Sequence, residues 1–279
     1  MNVSDCLITT IKLFCEITSF PIKSGDYYTE AASQTRYRDL VMSDPQLSRH
    51  TSVPLVYTEL SSRRVLTSTF VSGVAIDKAI LLPQAVRNAI ARTMLILTIR
   101  EVFEWRFIQS DPNFGNFLYD DPERMVNLID FGAAREYPKS FVDGYMRLVW
   151  AAANEDREGL LSISKEVGFL TGDETPEMTK AHLETGLVFG EPFRKNESYD
   201  FGASNLSRRL GKYGEVFLKY RLTPPPPEAY SLHRKLAGAI LLSIKLKANI
   251  PCRDILETTF KQYNFQVIDD QSNVAAKTI

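Results

Sequence analysis

Apolar residues are spaced differently in the two halves of the chain. In the first half, short apolar runs are bounded by polar turns, as strands usually are. The predicted strands are residues 53–57, 65–71, 117–119 and 125–129. Between them, residues 83–107 begin with a proline, have helical spacing and are apolar nearly all round from 94 to 103. This pattern predicts a helix buried inside a lobe.

The second half is dominated by helical spacing. The predicted helices are residues 140–153, 155–167, 176–190, 205–220 and 228–247, with an earlier one at 26–40. The proline run 224–227 is expected to form an extended connector. Residues 1–23 alternate weakly, which is compatible with a strand, whereas 264–279 are polar, aperiodic and expected to fray. A few strands followed by many helices indicate an α+β chain with a large helical lobe.

Composition and charge exclude several classes of protein. The chain is 44% hydrophobic and 24% charged, with 33 basic residues balanced by 34 acidic ones, so no strong attraction for nucleic acid is expected. The cysteines and histidines lack zinc-ligand spacing; they are Cys6, Cys15, Cys252, His50, His182 and His233. No apolar run approaches the roughly 18 residues needed to span a bilayer. The first 23 residues contain no arginine and are interrupted by Asp5 and Glu16, a poor pattern for a transit or signal peptide. Either targeting information is absent there or this start is not the native start.

Three polar residues near the middle of the chain have the spacing of a phosphoryl-transfer site. Asp111 precedes Asn116 by five residues, and Asp130 opens an Asp-Phe-Gly triplet after two strand-like runs. Phosphoryl transfer needs Mg²⁺ to hold the phosphates and a carboxylate to orient the acceptor. Mg²⁺ prefers oxygen ligands, which Asn116 and Asp130 can supply. Because a hairpin would return both loops to one place, the sequence predicts a kinase-type site.

Each of these motifs is weak when it stands alone. Asp111 before Pro112 also suits a turn, and Asp130 with Gly132 also suits the end of a strand. The order of long helix, loop, hairpin and triplet favours the kinase interpretation. Small-molecule kinases of the aminoglycoside or choline type share the Asp-to-Asn spacing and are an alternative.

The segments around these motifs resemble the UbiB, or ADCK, family of atypical kinases. The segments are FIQSDPNFGN (107–116) and LIDFGAARE (128–136). Four others resemble its mitochondrial coenzyme Q branch: DYYTEA (26–31), VLTSTFVSG (65–73), FLTGDE (169–174) and PPPPEAYSLHRKLAG (224–238). The resemblance spans about residues 26–263. It implies a protein-kinase-like fold, mostly the helical large lobe with a remnant of the small lobe.

The resemblance also implies roles for individual residues. Asp111 would be the catalytic-loop aspartate, and Asn116 and Asp130 would be Mg²⁺ ligands. Glu30 would be the glutamate of the αC-like helix. The hinge, whose main chain contacts adenine, would consist of Thr69, Phe70 and Val71.

The cofactors implied by the resemblance are ATP, or ADP, and Mg²⁺. The implied function is to support ubiquinone (coenzyme Q) biosynthesis in mitochondria. The expected partners are proteins of the coenzyme Q biosynthetic complex, lipid-quinone precursors and the membrane surface, with no nucleic acid among them. The physiological substrate and the oligomeric state do not follow from the sequence.

Parts of the family pattern are missing from the sequence. No Ala-rich loop, KxGQ motif or strand lysine precedes the αC-like helix, and Ser24 stands where the ExD motif has its glutamate. Residues 1–23 do not resemble the family, which favours an N-terminally truncated chain. The alternative is that Lys12 replaces the missing lysine. The atypical kinase or ATPase interpretation therefore stands beside a second one, a catalytically impaired pseudokinase or truncated isoform that only binds partners.

The resemblance and the predicted elements together divide the chain into four segments. They are a non-matching segment (1–25), a small-lobe remnant (26–73), a kinase-like large lobe (74–263) and a flexible tail (264–279).

Several remaining polar side chains are expected to have structural roles. His233 is expected to pack or cap a helix, and Arg135 and Glu136 to form ion pairs after the Asp-Phe-Gly triplet. Lys245 and Lys247 are expected on a solvated face, with contact to lipid headgroups as the alternative.

Overall fold

The computed structural model describes residues 26–111 and 113–266. The helices of this part are α1 (Tyr27–Ser43), α2 (Gln84–Ile99), α3 (Lys139–Ala153), α4 (Arg157–Glu166), α5 (Pro176–Gly190), α6 (Leu206–Gly211), α7 (Gly214–Tyr220), α8 (Pro227–Lys245) and α9 (Arg253–Gln262). The strands are β1 (Thr51–Ser52), β2 (Val74–Ala75), β3 (Phe107–Gln109), β4 (Phe117–Asp120), β5 (Met125–Leu128), β6 (Ala134–Glu136), β7 (Ser198–Asp200) and β8 (Asn249–Pro251). The strand expected in residues 1–23 lies outside the described residues, as does most of the expected frayed tail.

The strands form small sheets that position two loops. One sheet has the order β1-β5-β4-β2, in which β4 and β5 form an antiparallel hairpin with Phe117 opposite Leu128. Arg124 has a positive φ of 52° in the tight turn of this hairpin. A second pair, β3 with β6, is antiparallel and places Gln109 opposite Ala134. Together the two pairings hold the loop after β3 beside the loop after β5.

Helix α2 is the centre of the helical lobe and packs against α8. Its second half is buried on every side, including Met94, Leu95, Leu97 and Ile99. Burial on all sides removes the most apolar surface from water, which is the main favourable term in folding. The structure therefore confirms the buried helix that the apolar run 94–103 predicted.

The main differences from the sequence predictions have local causes. Helix α2 does not continue to Phe107, because Arg100–Trp105 form a π-helical turn and Arg106, with a φ of 51°, reverses the chain into β3. The predicted helix 205–220 is divided at Gly211 into α6 and α7. Helix α9 was not predicted at all; its polar face hides the burial of Ile255 and Leu256.

The predicted strands 53–57 and 65–71 are not regular strands. The two segments do pair, since the Tyr57 N–H donates to Thr67 O at 2.9 Å and the Thr69 N–H donates to Leu55 O at 2.8 Å. A 3₁₀ turn over Thr58–Leu60 and the Ser61 hydroxyl, which donates to Tyr57 O, interrupt the ladder. Serine side chains that bond to nearby backbone offer the chain an alternative to a sheet. Within the described residues, no helix combines the length and the apolar character needed to cross a bilayer.

Candidate active site

The loop after β3 is organised by its own polar side chains. The Asn116 amide donates from Nδ2 to Asp111 Oδ2 at 2.8 Å, and the Asn113 N–H donates to Asp111 Oδ1 at 3.2 Å. Asn113 Oδ1 in turn accepts from the Gly115 N–H at 3.0 Å, which starts the 3₁₀ turn Phe114–Asn116. The structure therefore brings Asp111 and Asn116 into direct contact.

The Asp-Phe-Gly triplet lies beside this loop because the β4–β5 hairpin closes on it. The Ile129 N–H donates to Asn116 O at 3.1 Å, so Asp130 follows a residue that is bonded to Asn116. Asp130 Oδ1 accepts from the Gly132 N–H at 3.0 Å, and Phe131 is buried against Tyr37 of α1 with ring centroids 5.0 Å apart. Buried Phe131 thus fixes the triplet, while Asp130 remains partly exposed.

Oxygen atoms suitable for a hard cation remain available in this arrangement. Asn116 uses its Nδ2 toward Asp111, and Asp130 uses its Oδ1 toward Gly132. Within the described residues, Asn116 Oδ1 and Asp130 Oδ2 accept no hydrogen bond. Amide and carboxylate oxygens are the protein ligands that Mg²⁺ prefers. The donor set at the hairpin therefore suits Mg²⁺.

Glu30 approaches the same triplet from α1. Its carboxylate accepts a hydrogen bond from the Phe131 N–H, and its Oε2 lies 3.4 Å from the point where a Cβ on Gly132 would stand. Burial, followed by the negative charge of Asp130, raises the pKa of Glu30. No basic side chain among the described residues forms an ion pair with Glu30. Lys12, the alternative partner, and Ser24 lie outside those residues.

The predicted hinge runs along the hairpin. Thr69 is held by its backbone bond to Leu55, the Phe70 side chain is 90% exposed, and Val71 is partly buried. In the described part of the chain, the peptide groups of Phe70 and Val71 form no backbone hydrogen bond. A ligand that binds main-chain atoms could therefore use these groups.

Two contacts attach the end of this segment to the hairpin. The Asn127 amide donates to Ser72 O at 3.1 Å, and the Ser72 hydroxyl bonds to the Asp120 carboxylate. Gly73 has a φ of 131° and lies so close to the hairpin that a Cβ would stand 2.8 Å from Tyr119 O. Only glycine combines this conformation with this approach. The hinge therefore shares its support with Asn116 and Asp130.

A buried ion pair supports β3 and the loop after it. Glu101, on the π-helical turn, is 0% exposed and lies 2.6 Å from the ammonium of Lys235 on α8, which is 4% exposed. Glu101 Oε1 also accepts from the Gln109 N–H at 3.0 Å. Burial raises the pKa of Glu101, and the charge of Lys235 opposes that rise. The pair ties α8 to the strand that leads into Asp111.

The residue next to Lys235 makes a second tie. The Arg234 guanidinium donates from Nη2 to Ser110 O at 3.0 Å. Consecutive residues of α8 therefore hold the end of β3 and the start of the loop after it. Lys235 acts through Glu101 on Gln109, and Arg234 bonds directly to Ser110. This support was not predicted from the sequence. The available signal was an acid, Glu101, inside a run that is apolar nearly all round, since a buried carboxylate requires a cation or donors.

Other predicted roles can be compared directly with the structure. His233 packs, as expected, with its ring stacked on Phe169 at 5.3 Å. Glu136 pairs with Arg36 of α1 at 2.5 Å, which confirms an ion pair after the triplet. Lys245 is exposed, and its ammonium lies 2.6 Å from Asp77.

The sequence matches the model of a known protein family. The ABC1 atypical kinase-like domain matches residues 11–164, which is more than half of the chain. The match begins before the expected start of the resemblance at residue 26, so the statement that residues 1–23 do not resemble the family is wrong from residue 11 onward. The weak apolar alternation there carries no distinctive motif, which is why the likeness was missed.

Curated relatives and a solved structure agree with this match. Atypical kinase COQ8B, mitochondrial, from Danio rerio is 43% identical over 89% of this chain and 39% of its own length. The protein of the same name from Rattus norvegicus is 44% identical over 85% of this chain and 44% of its own length. Atypical kinase COQ8, mitochondrial, from Saccharomyces cerevisiae is 34% identical over 84% of this chain and 46% of its own length.

The chain thus spans less than half the length of these three relatives. A solved structure, the complex of Rv3197 with erythromycin from Mycobacterium tuberculosis, has a TM-score of 0.68 and 20% identity over 84% of this chain and 57% of that one. This likeness shows a shared fold, which confirms the kinase-like α+β expectation. The chain belongs to the ABC1 atypical kinase-like family.

Proposed function

We propose that this chain is the ATP-handling part of an atypical kinase or ATPase that supports coenzyme Q biosynthesis in mitochondria. In this proposal Asp111 orients the acceptor, and Asn116 and Asp130 hold Mg²⁺. Glu30 is the αC-type glutamate, and the main chain of the hinge, Thr69 to Val71, contacts adenine. ATP or ADP is the nucleotide. Proteins of the coenzyme Q biosynthetic complex, lipid-quinone precursors and a membrane surface are the proposed partners.

One observation carries this proposal. Asp111 contacts Asn116 directly, and the hairpin bond from Ile129 to Asn116 places Asp130 beside them. Phosphoryl transfer depends on positioning and electrostatic stabilisation more than on covalent chemistry by the protein. A carboxylate for the acceptor with two oxygen ligands for Mg²⁺ is the minimum set for that task. Relatives named as mitochondrial atypical kinases support the same assignment.

The metal assignment can be tested by nucleotide binding. Thermal unfolding would be followed with ADP, with Mg²⁺ or with EDTA, for the wild type, Asp130→Asn and Asp173→Asn, a matched change at an exposed loop position. A ligand that binds only the folded state raises its melting temperature. We expect the Mg²⁺-dependent rise to disappear in Asp130→Asn and to persist in Asp173→Asn. An unchanged Mg²⁺-nucleotide affinity in Asp130→Asn would remove Asp130 from the site.

A second function, binding of partners without catalysis, is favoured by Glu30. Without a cation beside it in the described residues, this carboxylate adds negative charge next to Asp130 and disfavours an anionic nucleotide. Electrostatic stabilisation is usually the largest catalytic contribution. On this basis we expect the 279-residue chain to hydrolyse ATP barely above background.

Phosphate release separates the two functions. The wild type would be compared with Asp111→Asn as the blank, with Lys12→Met and with Lys23→Met as the matched change at a nearby lysine. Turnover near the Asp111→Asn level supports the binding function for this chain. Robust turnover that depends on Asp111 and is lost in Lys12→Met, but kept in Lys23→Met, would assign Lys12 as the missing cation and make this chain a catalyst.

A further inference from the structure

A cavity of about 210 Å³ lies in the helical lobe, between helices α3, α5 and α8. It is partly open to solvent, and its walls are mostly apolar side chains, such as Leu148, Phe189 and Ile240. Asp111, Asn116 and Asp130 do not line it, so it is separate from the proposed nucleotide site. Protein interiors are close-packed and rarely keep voids much larger than a water molecule. A cavity of this size is therefore a candidate binding site.

The size and lining of the cavity restrict its occupant. An apolar cavity of roughly 150 Å³ in a helical protein stays dry and binds benzene. The present cavity is larger, so it can hold one six-membered ring with a short substituent. Arg221 and Arg234 also contribute to its wall, which disfavours a cationic ligand. A strongly charged group of either sign would lose its hydration among the apolar side chains.

His233 supplies a polar group inside this cavity. Its ring stacks on Phe169, with centroids 5.3 Å apart, and lies 5.6 Å from the Tyr145 ring. Surrounding protein lowers its pKa to about 4, so the imidazole is neutral near pH 7. The residue nevertheless has exposed surface, and it lines the cavity.

The His233 ring makes no hydrogen bond to any of the described residues. In the described part of the chain neither ring nitrogen has a hydrogen-bond partner, whereas His182, also on the cavity wall, already bonds to the Ser164 hydroxyl at 2.8 Å. A neutral imidazole offers one donor and one acceptor. A ligand oxygen that reached this ring would therefore gain a hydrogen bond in apolar surroundings.

We propose that the cavity beside His233 is a binding site for a small neutral molecule with one ring and one hydrogen-bonding oxygen. The ring occupies the apolar space between α3, α5 and α8, and the oxygen bonds to the His233 imidazole. Recognition rests on shape and one hydrogen bond, without a charged group.

The test uses three probes of similar size with the full chain. Acetophenone has a ring and a carbonyl oxygen, ethylbenzene lacks the oxygen, and benzoate carries a charge. Binding would be measured by ligand-observed NMR titration. We expect acetophenone to bind more tightly than ethylbenzene, and ethylbenzene more tightly than benzoate. No binding of either neutral probe, or tightest binding of benzoate, would overturn the proposal.

Two variants and one control variant test where the probes bind. His233→Phe keeps an aromatic ring against Phe169 but removes the nitrogens, so we expect acetophenone affinity to fall by about three- to ten-fold, the range for one hydrogen bond, with ethylbenzene unchanged. Leu236→Trp fills the cavity and should abolish binding of both, whereas Leu218→Trp, at an exposed position on α7, should not. Undiminished acetophenone binding in His233→Phe overturns the assignment even if Leu236→Trp fails to fold.

Discussion

Two glutamates approach the loop after β3 and its neighbouring triplet from different elements of the fold. Glu101 comes from the helical lobe, is fully buried, and is neutralised by Lys235 at 2.6 Å. Glu30 comes from α1, is only partly buried, and faces another carboxylate, Asp130. The pKa of both groups is raised by burial, but among the described residues an adjacent cation opposes the rise only for Glu101.

This difference in burial and pairing gives the two glutamates different roles. A buried carboxylate without a cation is too costly to keep, so the Glu101–Lys235 pair forms one fixed arrangement that positions Gln109. A partly exposed carboxylate can stay unpaired, because solvent screens it and it can bind a proton. The lobe side of the loop is therefore the rigid side. The other side, where Glu30 faces Asp130, is called the cleft side; among the described residues no cation forms an ion pair with Glu30 there.

The largest change in the free energy of unfolding is expected for Lys235→Met. This change leaves the Glu101 carboxylate buried without its cation, and breaking a buried pair in this way costs about 3–5 kcal/mol. Lys245→Met is the matched control on the same helix, since its ion pair with Asp77 is 48% exposed on the lysine side and should contribute less than about 1 kcal/mol. Urea unfolding of both variants gives the two free energies.

A double variant tests whether the unpaired charge of Glu101 causes the stability loss in Lys235→Met. Glu101→Gln combined with Lys235→Met removes both charges and retains an acceptor for the Gln109 N–H. We expect it to recover most of the stability that Lys235→Met loses, because replacing a whole buried pair is often neutral. A loss below about 1 kcal/mol in Lys235→Met, or no recovery in the double variant, would mean that the lobe side does not depend on this pair.

The parts predicted from sequence are those determined locally. The buried helix α2 follows from its all-round apolar run, and the β4–β5 hairpin follows from two apolar runs and a polar turn. The contact of Asp111 with Asn116 could be expected because both lie in one short loop. A role for Glu30 was expected only through the family resemblance, and nothing in the local pattern of α1 specifies its approach to Asp130.

The parts that could not be predicted depend on contacts distant in sequence. Arg234 reaches Ser110 across 124 positions, and no pattern near either residue indicates the other. The hinge was expected as a strand, but Ser61 and the 3₁₀ turn Thr58–Leu60 replace the regular ladder with side-chain bonds. The π-helical turn that carries Glu101 is a rare conformation, and no local pattern in the sequence indicated it.

The charge of Glu30, on the cleft side, can be tested through the pH dependence of stability. The pKa of Glu30 is raised above its ordinary value of 4.5 in the folded state. The folded protein therefore binds this proton more tightly than the unfolded chain does, so stability falls as pH rises through the interval above 4.5. Glu30→Gln removes this penalty. We expect it to raise the free energy of unfolding by up to about 1 kcal/mol near neutral pH, a limit set by solvent screening.

The gain should disappear when the pH falls below the ordinary pKa of glutamate, because Glu30 is then protonated in both states. Urea unfolding at both pH values measures the difference, and Glu197→Gln, at an exposed position, is the matched control. A loss of stability in Glu30→Gln at neutral pH would indicate a cation beside Glu30. The two sides of the loop would then be alike.

The smallest expected effect is at the ion pair between Arg36 and Glu136. It links α1 to β6 after the triplet, at 2.5 Å, with 46% and 65% of the two side chains exposed. Exposed pairs contribute little, because solvent screens them and long side chains lose entropy. Glu136→Gln should therefore cost less than about 0.5 kcal/mol, and high salt should remove even that. Urea unfolding with and without 1 M salt measures this cost, and Glu123→Gln in the exposed hairpin turn is the control.

A salt-sensitive cost well above 1 kcal/mol would contradict this expectation. It would show that α1 is fixed to the segment after the triplet as firmly as α8 is fixed to the loop after β3. Rigidity would then no longer distinguish the two sides.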